Sequence, residues 1–269
     1  MSQASQPIGV FDSGLGGLSI VKALRRTLPN ESIVYFGDIA RLPYGIKSQK
    51  QIIQFSIQNV KFLIKQRAKV IIVACNSSSS AAYSILKSKF KLPIIDVIQP
   101  AASEAAARSK SKRIGVIATQ ATVDTQAYEK TLTSLDAAIE VYSRSCPMFV
   151  PMVEEGWLEG KIPEQIVAHY LEPIKKKDVD TLMLGCTHYP LLEKTIQSYM
   201  GNKVKLVDSA SSTVENLKQC LKEKKWLNPK RSKGALKIFV SDKPRNFIRV
   251  GERFLGEELK FVKVVRNES

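Results

Sequence analysis

Two cysteines, Cys75 and Cys186, follow apolar runs of the same kind: Val70-Ile71-Ile72-Val73-Ala74 leads into Cys75-Asn76-Ser77, and Thr181-Leu182-Met183-Leu184-Gly185 leads into Cys186-Thr187-His188. A thiolate is a competent base and a neutral thiol a weak acid. A pair on opposite sides of one carbon can therefore remove a proton from one face and return one to the other, and the two roles swap in the reverse direction. An unperturbed thiol titrates near pH ~8.5, so the abstracting cysteine needs local help to ionise. A helix N-terminus following each strand supplies part of it. Asp12, which ends the first strand, and His188, two residues past Cys186, are the candidates for accepting or relaying a thiol proton. Asp12 has a competing assignment as a cap or turn residue, because Asp12-Ser13-Gly14-Leu15-Gly16-Gly17 opens a helix. His188 taken alone would be a satisfied, partly buried histidine. The strand-end position of the first and the Cys186 neighbourhood of the second favour chemistry. Cys146 and Cys220 are read as packing thiols.

The elements that must position these residues alternate along the chain. Short apolar runs at Pro7–Phe11, Ser32–Phe36, Lys69–Ala74, Leu92–Val97, Arg113–Ala118, Ala138–Ser143, Thr181–Gly185 and Lys205–Val207 are separated by helix-length segments. Amphipathic helices are expected over Leu18–Leu28 and Gln49–Arg67, with helix-like stretches at Ala81–Phe90 and Leu191–Met200. The pattern predicts parallel sheets covered on both faces. A weak internal repeat pairs the two cysteine strands, and at a similar offset it pairs Ile8-Gly9-Val10-Phe11-Asp12-Ser13 with Ile114-Gly115-Val116-Ile117-Ala118-Thr119. Two similar α/β lobes follow, residues 1–98 with 208–269 forming the first and 99–207 the second. Open parallel sheets bind ligands beyond the carboxyl ends of their strands, so the site is expected in a cleft between the lobes.

Composition restricts the setting. The chain has 269 residues, 44% of them hydrophobic and 25% charged, which suits a folded α/β enzyme rather than a disordered segment. The polar start from Met1 to Pro7 does not have the form of a signal peptide, and no uncharged apolar stretch is long enough for a bilayer, so a cytoplasmic protein is expected. The four cysteines form no CxxC pair, which argues against a zinc site and a disulfide-stapled domain; no metal is expected. Gly14–Gly17 falls short of both the P-loop and dinucleotide patterns and is read as a tight strand-to-helix turn whose amides approach a small anion. The formal charge is +16, with seventeen Lys/Arg against eight Asp/Glu from Lys203 onward. Nucleic-acid contact through that basic carboxyl-terminal stretch is the alternative to a simple role in solubility or substrate attraction, and the nearby aromatics form no stacking motif.

Taken together, Ile8–Gly17, Tyr35-Phe36-Gly37-Asp38, Ala40-Arg41-Leu42-Pro43-Tyr44-Gly45, Ala74-Cys75-Asn76, Cys146–Pro151 with Glu154-Glu155-Gly156, and Leu184–Leu191 closely resemble the bacterial glutamate racemases of the aspartate/glutamate racemase superfamily. The match spans most of the chain. The resemblance implies interconversion of L- and D-glutamate for peptidoglycan synthesis, without a cofactor, in a bacterial cytoplasm, by a protein that is usually a homodimer. It makes Cys75 and Cys186 the acid/base pair, with Asp12, Glu154 and His188 assisting proton movement. Asp12, Ser13, Pro43, Tyr44, Gly45, Asn76, Ser77, Thr119, Thr122, Thr187 and His188 become substrate-binding positions. Departures from the commonest pattern are Ser77 in place of threonine, Ile39 in place of a polar residue, and Ala118 and Ala121 in place of glycines. The nearest rival within the superfamily is an aspartate racemase, which differs in the reach to the side-chain carboxylate. The rival from another class is a basic binding protein that contacts DNA or a DNA-associated enzyme through the Lys/Arg-rich carboxyl-terminal stretch, and a third reading is a thiol redox protein, to which the cysteine spacing offers no local pair.

Overall fold

The computed structural model describes residues 2–230, 232–244 and 246–265. The parts of the first-lobe assignment that fall on residues 1, 231, 245 and 266–269, with three arginines of the basic stretch, lie outside the described residues. Ten strands run in chain order: β1 Ile8–Asp12, β2 Ile33–Gly37, β3 Val70–Val73, β4 Ile94–Ile95, β5 Arg113–Ala118, β6 Glu140–Ser145, β7 Thr181–Gly185, β8 Lys205–Val207, β9 Leu236–Val240 and β10 Val262–Val264. They form two compact units, Met1–Val97 with Ala210–Ser269, and Ile98–Ser209.

The first unit holds a six-stranded sheet in the order β10-β9-β2-β1-β3-β4. Every neighbouring pair is parallel. All residues of β1, β2 and β3 are buried, as strands covered on both faces must be, and their sequences are correspondingly near-continuous apolar runs. Helix Gln49–Lys65 covers the sheet through Val60 and Leu63, and helix Asn76–Lys89 adds Ala82 and Leu86 to the same core. Ser48 starts the first of these helices, its hydroxyl accepting the Gln51 N–H at 3.4 Å.

The second unit holds a four-stranded parallel sheet in the order β6-β5-β7-β8. Its core gathers Ile114, Val116 and Met183 from the strands with Ala101, Ala102, Ala105, Tyr128 and Leu132 from the helices. The two helices concerned are Ile98–Arg108 and Ala127–Leu135. Among the described residues no helix is long and apolar enough to cross a membrane.

The element expectations hold with four corrections. Leu92–Val97 yields only the two-residue strand β4, because Pro93 precedes it and helix Ile98–Arg108 follows closely. The strand expected at Ala138–Ser143 is shifted to Glu140–Ser145. The helix expected from Ala81 starts five residues earlier, at Asn76. The polar first turn, Asn76-Ser77-Ser78-Ser79, carries no apolar periodicity to announce it. Strands β9 and β10 lie in the basic carboxyl-terminal stretch, and their interspersed lysines hid them.

A buried ion pair ties distant segments of the first unit together. Lys69 is fully buried, and its ammonium donates to Glu31 at 2.6 Å, to the Ala4 carbonyl at 2.8 Å and to the Trp226 carbonyl at 2.7 Å. The other Glu31 oxygen accepts the Asn228 N–H at 2.8 Å. All three ammonium protons are therefore used, which is what burial of a lysine charge requires.

Candidate active site

In the first unit the site residues collect at the carboxyl ends of β1, β2 and β3. Asp12 closes β1 and is wholly buried. One of its carboxylate oxygens accepts the N–H of Gly14 at 3.2 Å and of Gly17 at 3.1 Å, so the carboxylate shapes the turn into helix Leu18–Thr27. Of the structural assignments for Asp12 it is the turn that is realised, since the N-cap position of the helix is Gly17. Glycine is required here by space: a Cβ on Gly17 would stand 2.7 Å from Asp12 Cβ and 2.9 Å from Ala74 Cβ. One on Gly37 would stand 2.5 Å from the Gly14 carbonyl oxygen, and Tyr35 also donates to that oxygen at 2.8 Å.

Strands β1 and β3 are neighbours, so Asp12 and Cys75 end adjacent strands. Cys75 occupies the N-cap position of helix Asn76–Lys89, with Asn76 and Ser77 buried in the first turn. Its thiol donates to the Ser13 hydroxyl at 3.6 Å. Burial and then the Asp12 charge push the Cys75 thiol up to about 11, against the opposing pull of the Ser13 hydroxyl and the Ser78 N–H. In this environment Cys75 rests as a neutral thiol. The serine run also has a structural use, since Ser79 donates to the Val73 carbonyl at 2.9 Å and accepts the Val97 N–H at 3.4 Å.

Pro43, Tyr44 and Gly45 lie on the loop after β2, and Ile39 is buried in the short turn Ile39–Arg41 that precedes them. The Tyr44 hydroxyl points into the protein, donating to Asp38 and accepting from Asn59 at 3.1 Å. Burial, and next the Asp38 charge, raise Tyr44 well above an ordinary phenol, so that hydroxyl stays a donor. What Pro43–Gly45 has left for a ligand is its backbone.

In the second unit β5 and β7 are neighbours, and Ala118 pairs with Gly185 at their carboxyl ends. Thr119 and Cys186 follow directly, and the Thr119 and Thr122 hydroxyls are 3.1 Å apart. Cys186, Thr187 and His188 are all buried. His188 Nδ1 lies 4.0 Å from Cys186 Sγ and 3.5 Å from the Thr187 hydroxyl, while Nε2 meets Glu154 at 2.7 Å. Burial opposes the imidazolium, but the Cys186 sulfur and Glu154 more than offset it and lift His188 to about 10. His188 thus holds a proton in contact with Cys186 at neutral pH. Cys146 is fully buried, its thiol raised by that burial, and its carbonyl accepts the Tyr189 hydroxyl at 3.0 Å. It packs, as the sequence suggested, and Cys220 is a half-buried free thiol.

Sequence reasoning did not single out Ser78, Ser241 or the roles of Asp38 and Arg41. The signal for Ser78 was the helix start at Asn76. Ser241 follows β9, which the lysine-rich stretch concealed. Among the described residues no group of three or more His, Cys, Asp or Glu side chains is disposed to hold a metal ion.

A family described as Asp/Glu/Hydantoin racemase matches residues 8–217. The chain is 43% identical over 252 residues to a glutamate racemase of Geobacter metallireducens, covering 94% of this chain and 93% of that one. It is 45% identical to a glutamate racemase of Aquifex aeolicus, covering 94% and 95%. Among solved structures it resembles the glutamate racemase of Francisella tularensis in complex with D-glutamate, with a TM-score of 0.93, 42% identity and coverage of 98% and 99%. The chain belongs to the Asp/Glu/Hydantoin racemase family.

Proposed function

We propose that this protein interconverts L- and D-glutamate, with Cys75 and Cys186 exchanging the α-proton as base and acid. The observation that carries the reading is the contrast between the two thiol environments. Cys75 is held as a proton-bearing thiol by burial beside Asp12, whereas Cys186 stands against a protonated His188 backed by Glu154. Racemisation needs one partner that carries a proton and another that can take one, and titratable groups whose surroundings differ in this way mark acid and base. Asp12 acts on Cys75 through its charge and on the turn through its hydrogen bonds. His188 relays the proton at Cys186, and Glu154 orients the ring.

Substrate contacts come from Ser13, Asn76, Ser77, Thr119, Thr122 and Thr187 through hydroxyl, amide and backbone groups, and from the backbone of Pro43, Tyr44 and Gly45. Likeness to glutamate racemases over nearly the whole length supports glutamate over aspartate. Ser77 keeps the hydroxyl that threonine would offer, so the departure there retains a hydrogen-bonding group. The product would supply peptidoglycan synthesis in a bacterial cytoplasm, and a homodimer fits the family.

The test is incubation of the purified protein with L-glutamate or L-aspartate in deuterated water, following α-proton exchange and optical rotation. Exchange and loss of rotation with glutamate are expected. Exchange with aspartate alone would overturn the substrate assignment.

A further inference from the structure

Asp38 follows β2 and is wholly buried, and its carboxylate is shared by three side chains from two parts of the chain, the loop after β2 and the end of β9. Arg41 meets one oxygen at 2.6 Å, the Tyr44 hydroxyl donates to the same oxygen, and the Ser241 hydroxyl donates to the other at 3.1 Å. Ser241 also accepts the Ala40 N–H at 2.9 Å, while its own N–H donates to the Gly37 carbonyl at 3.0 Å. On the far side, Arg41 reaches helix Gln49–Lys65, where its guanidinium donates to Gln58 at 2.5 Å and Asn59 at 3.3 Å and lies 4.1 Å from the Phe55 ring centre.

The side-chain ties that leave the segment 38–44 thus run to helix Gln49–Lys65 through Arg41 and Asn59 and to the end of β9 through Ser241, and the Asp38 N–H donates to the Asp12 carbonyl at 3.0 Å. A buried carboxylate is tolerated only when it is paired and hydrogen-bonded, so these partners hold each other in one arrangement. The same segment carries Pro43 and Tyr44 and leads directly into Gly45. With the Tyr44 hydroxyl engaged by Asp38 and Asn59, the polar groups left at Pro43–Gly45 are those of the backbone, and backbone donors and acceptors bind a ligand well only if their positions are set in advance.

We propose that Asp38 and Ser241 are positioning residues for substrate binding, clamping the Pro43–Gly45 backbone from behind through Arg41, Tyr44 and Ala40. The proposal rests on the glutamate racemase reading above. Neither residue touches the reacting atoms, so the clamp governs affinity and leaves the proton transfers alone.

Ser241→Ala and Ser241→Thr test it, because the first removes one hydroxyl from the clamp and the second keeps it. Losing a hydrogen bond to a buried charged group should raise KM for both glutamate enantiomers about tenfold, with kcat within about twofold. Ser241→Thr should return KM to within about twofold of the parent. Amide exchange at residues 39–46, read without substrate, should be faster in Ser241→Ala, above all at Ala40, and restored in Ser241→Thr. An unchanged KM in Ser241→Ala, or a fall in kcat matching the rise in KM, would overturn the proposal. So would unchanged exchange at Ala40, a result that decides the clamp even if the parent protein had no glutamate activity. Absence of that parent activity would instead sink the functional reading.

Discussion

Glu154 Oε1 lies 2.7 Å from His188 Nε2, and this contact leaves the opposite ring nitrogen facing Cys186 Sγ at 4.0 Å. A carboxylate only accepts, so Nε2 carries a hydrogen and Nδ1 is the atom that exchanges a proton with the sulfur. Replacing His188 with Asn should lower kcat about 100-fold, the scale of one positioned general acid or base. Glu154→Gln keeps the shape but loses the charge, and a drop of about tenfold is expected from a charge-assisted hydrogen bond. Steady-state rates in both directions check this. Equal rates for His188→Asn and the parent would remove the relay.

The same contact links folding to pH. His188 is raised from its ordinary value to about 10, so the stability it confers is complete below about pH 6.5 and drains away as pH climbs toward 10. Urea unfolding of the parent and of Glu154→Gln should therefore differ most at pH 6 and converge by about pH 10. A gap that widens with pH would mean that the imidazolium is not the species Glu154 stabilises.

Asp12 has two effects that one substitution separates. Its charge is the second cause, after burial, of the high Cys75 value of about 11, and its carboxylate also holds the Gly14 and Gly17 amides. Asp12→Asn retains an oxygen acceptor for the turn and removes the charge, so Cys75 should titrate below its parent value. The pH dependence of Cys75 alkylation, followed by mass spectrometry, reads the shift. Asp12→Ala should in addition cost about 1–3 kcal/mol in stability through the lost hydrogen bonds to the Gly14 and Gly17 amides.

Lys69→Ala leaves the Glu31 carboxylate buried, with the Asn228 N–H as its remaining donor among the described residues. Breaking a buried pair at one end costs about 3–5 kcal/mol, and the released Ala4 and Trp226 carbonyls lose their donor as well. Denaturant unfolding should show a loss of this size. A change under about 1 kcal/mol would mean that the pair is compensated in ways its contacts do not suggest.

What could be read in advance follows from the kind of signal each feature leaves. The strands β1, β2, β3, β5 and β7 are apolar through their middles because both faces are covered there, and that run is visible in one dimension. Cys75 and Cys186 were legible because each ends such a run. The first turn of helix Asn76–Lys89 was not, since Asn76, Ser77, Ser78 and Ser79 face groups that only folding brings near. Strand β9 was hidden for another reason. It lies next to β2, which precedes it by about 200 residues, and nothing local to Lys237 or Phe239 records that pairing. The clamp on Asp38 inherits the same invisibility, because Ser241 reaches it from the end of β9.

The two-thiol account is tested most directly by Cys75→Ser and Cys186→Ser, assayed separately for conversion of L- to D-glutamate and of D- to L-glutamate with no cofactor added. Serine keeps the shape but is too weak an acid to take either role, so each variant should lose at least about 1,000-fold in turnover in both directions. A variant of either cysteine that racemises glutamate at the parent rate would contradict it.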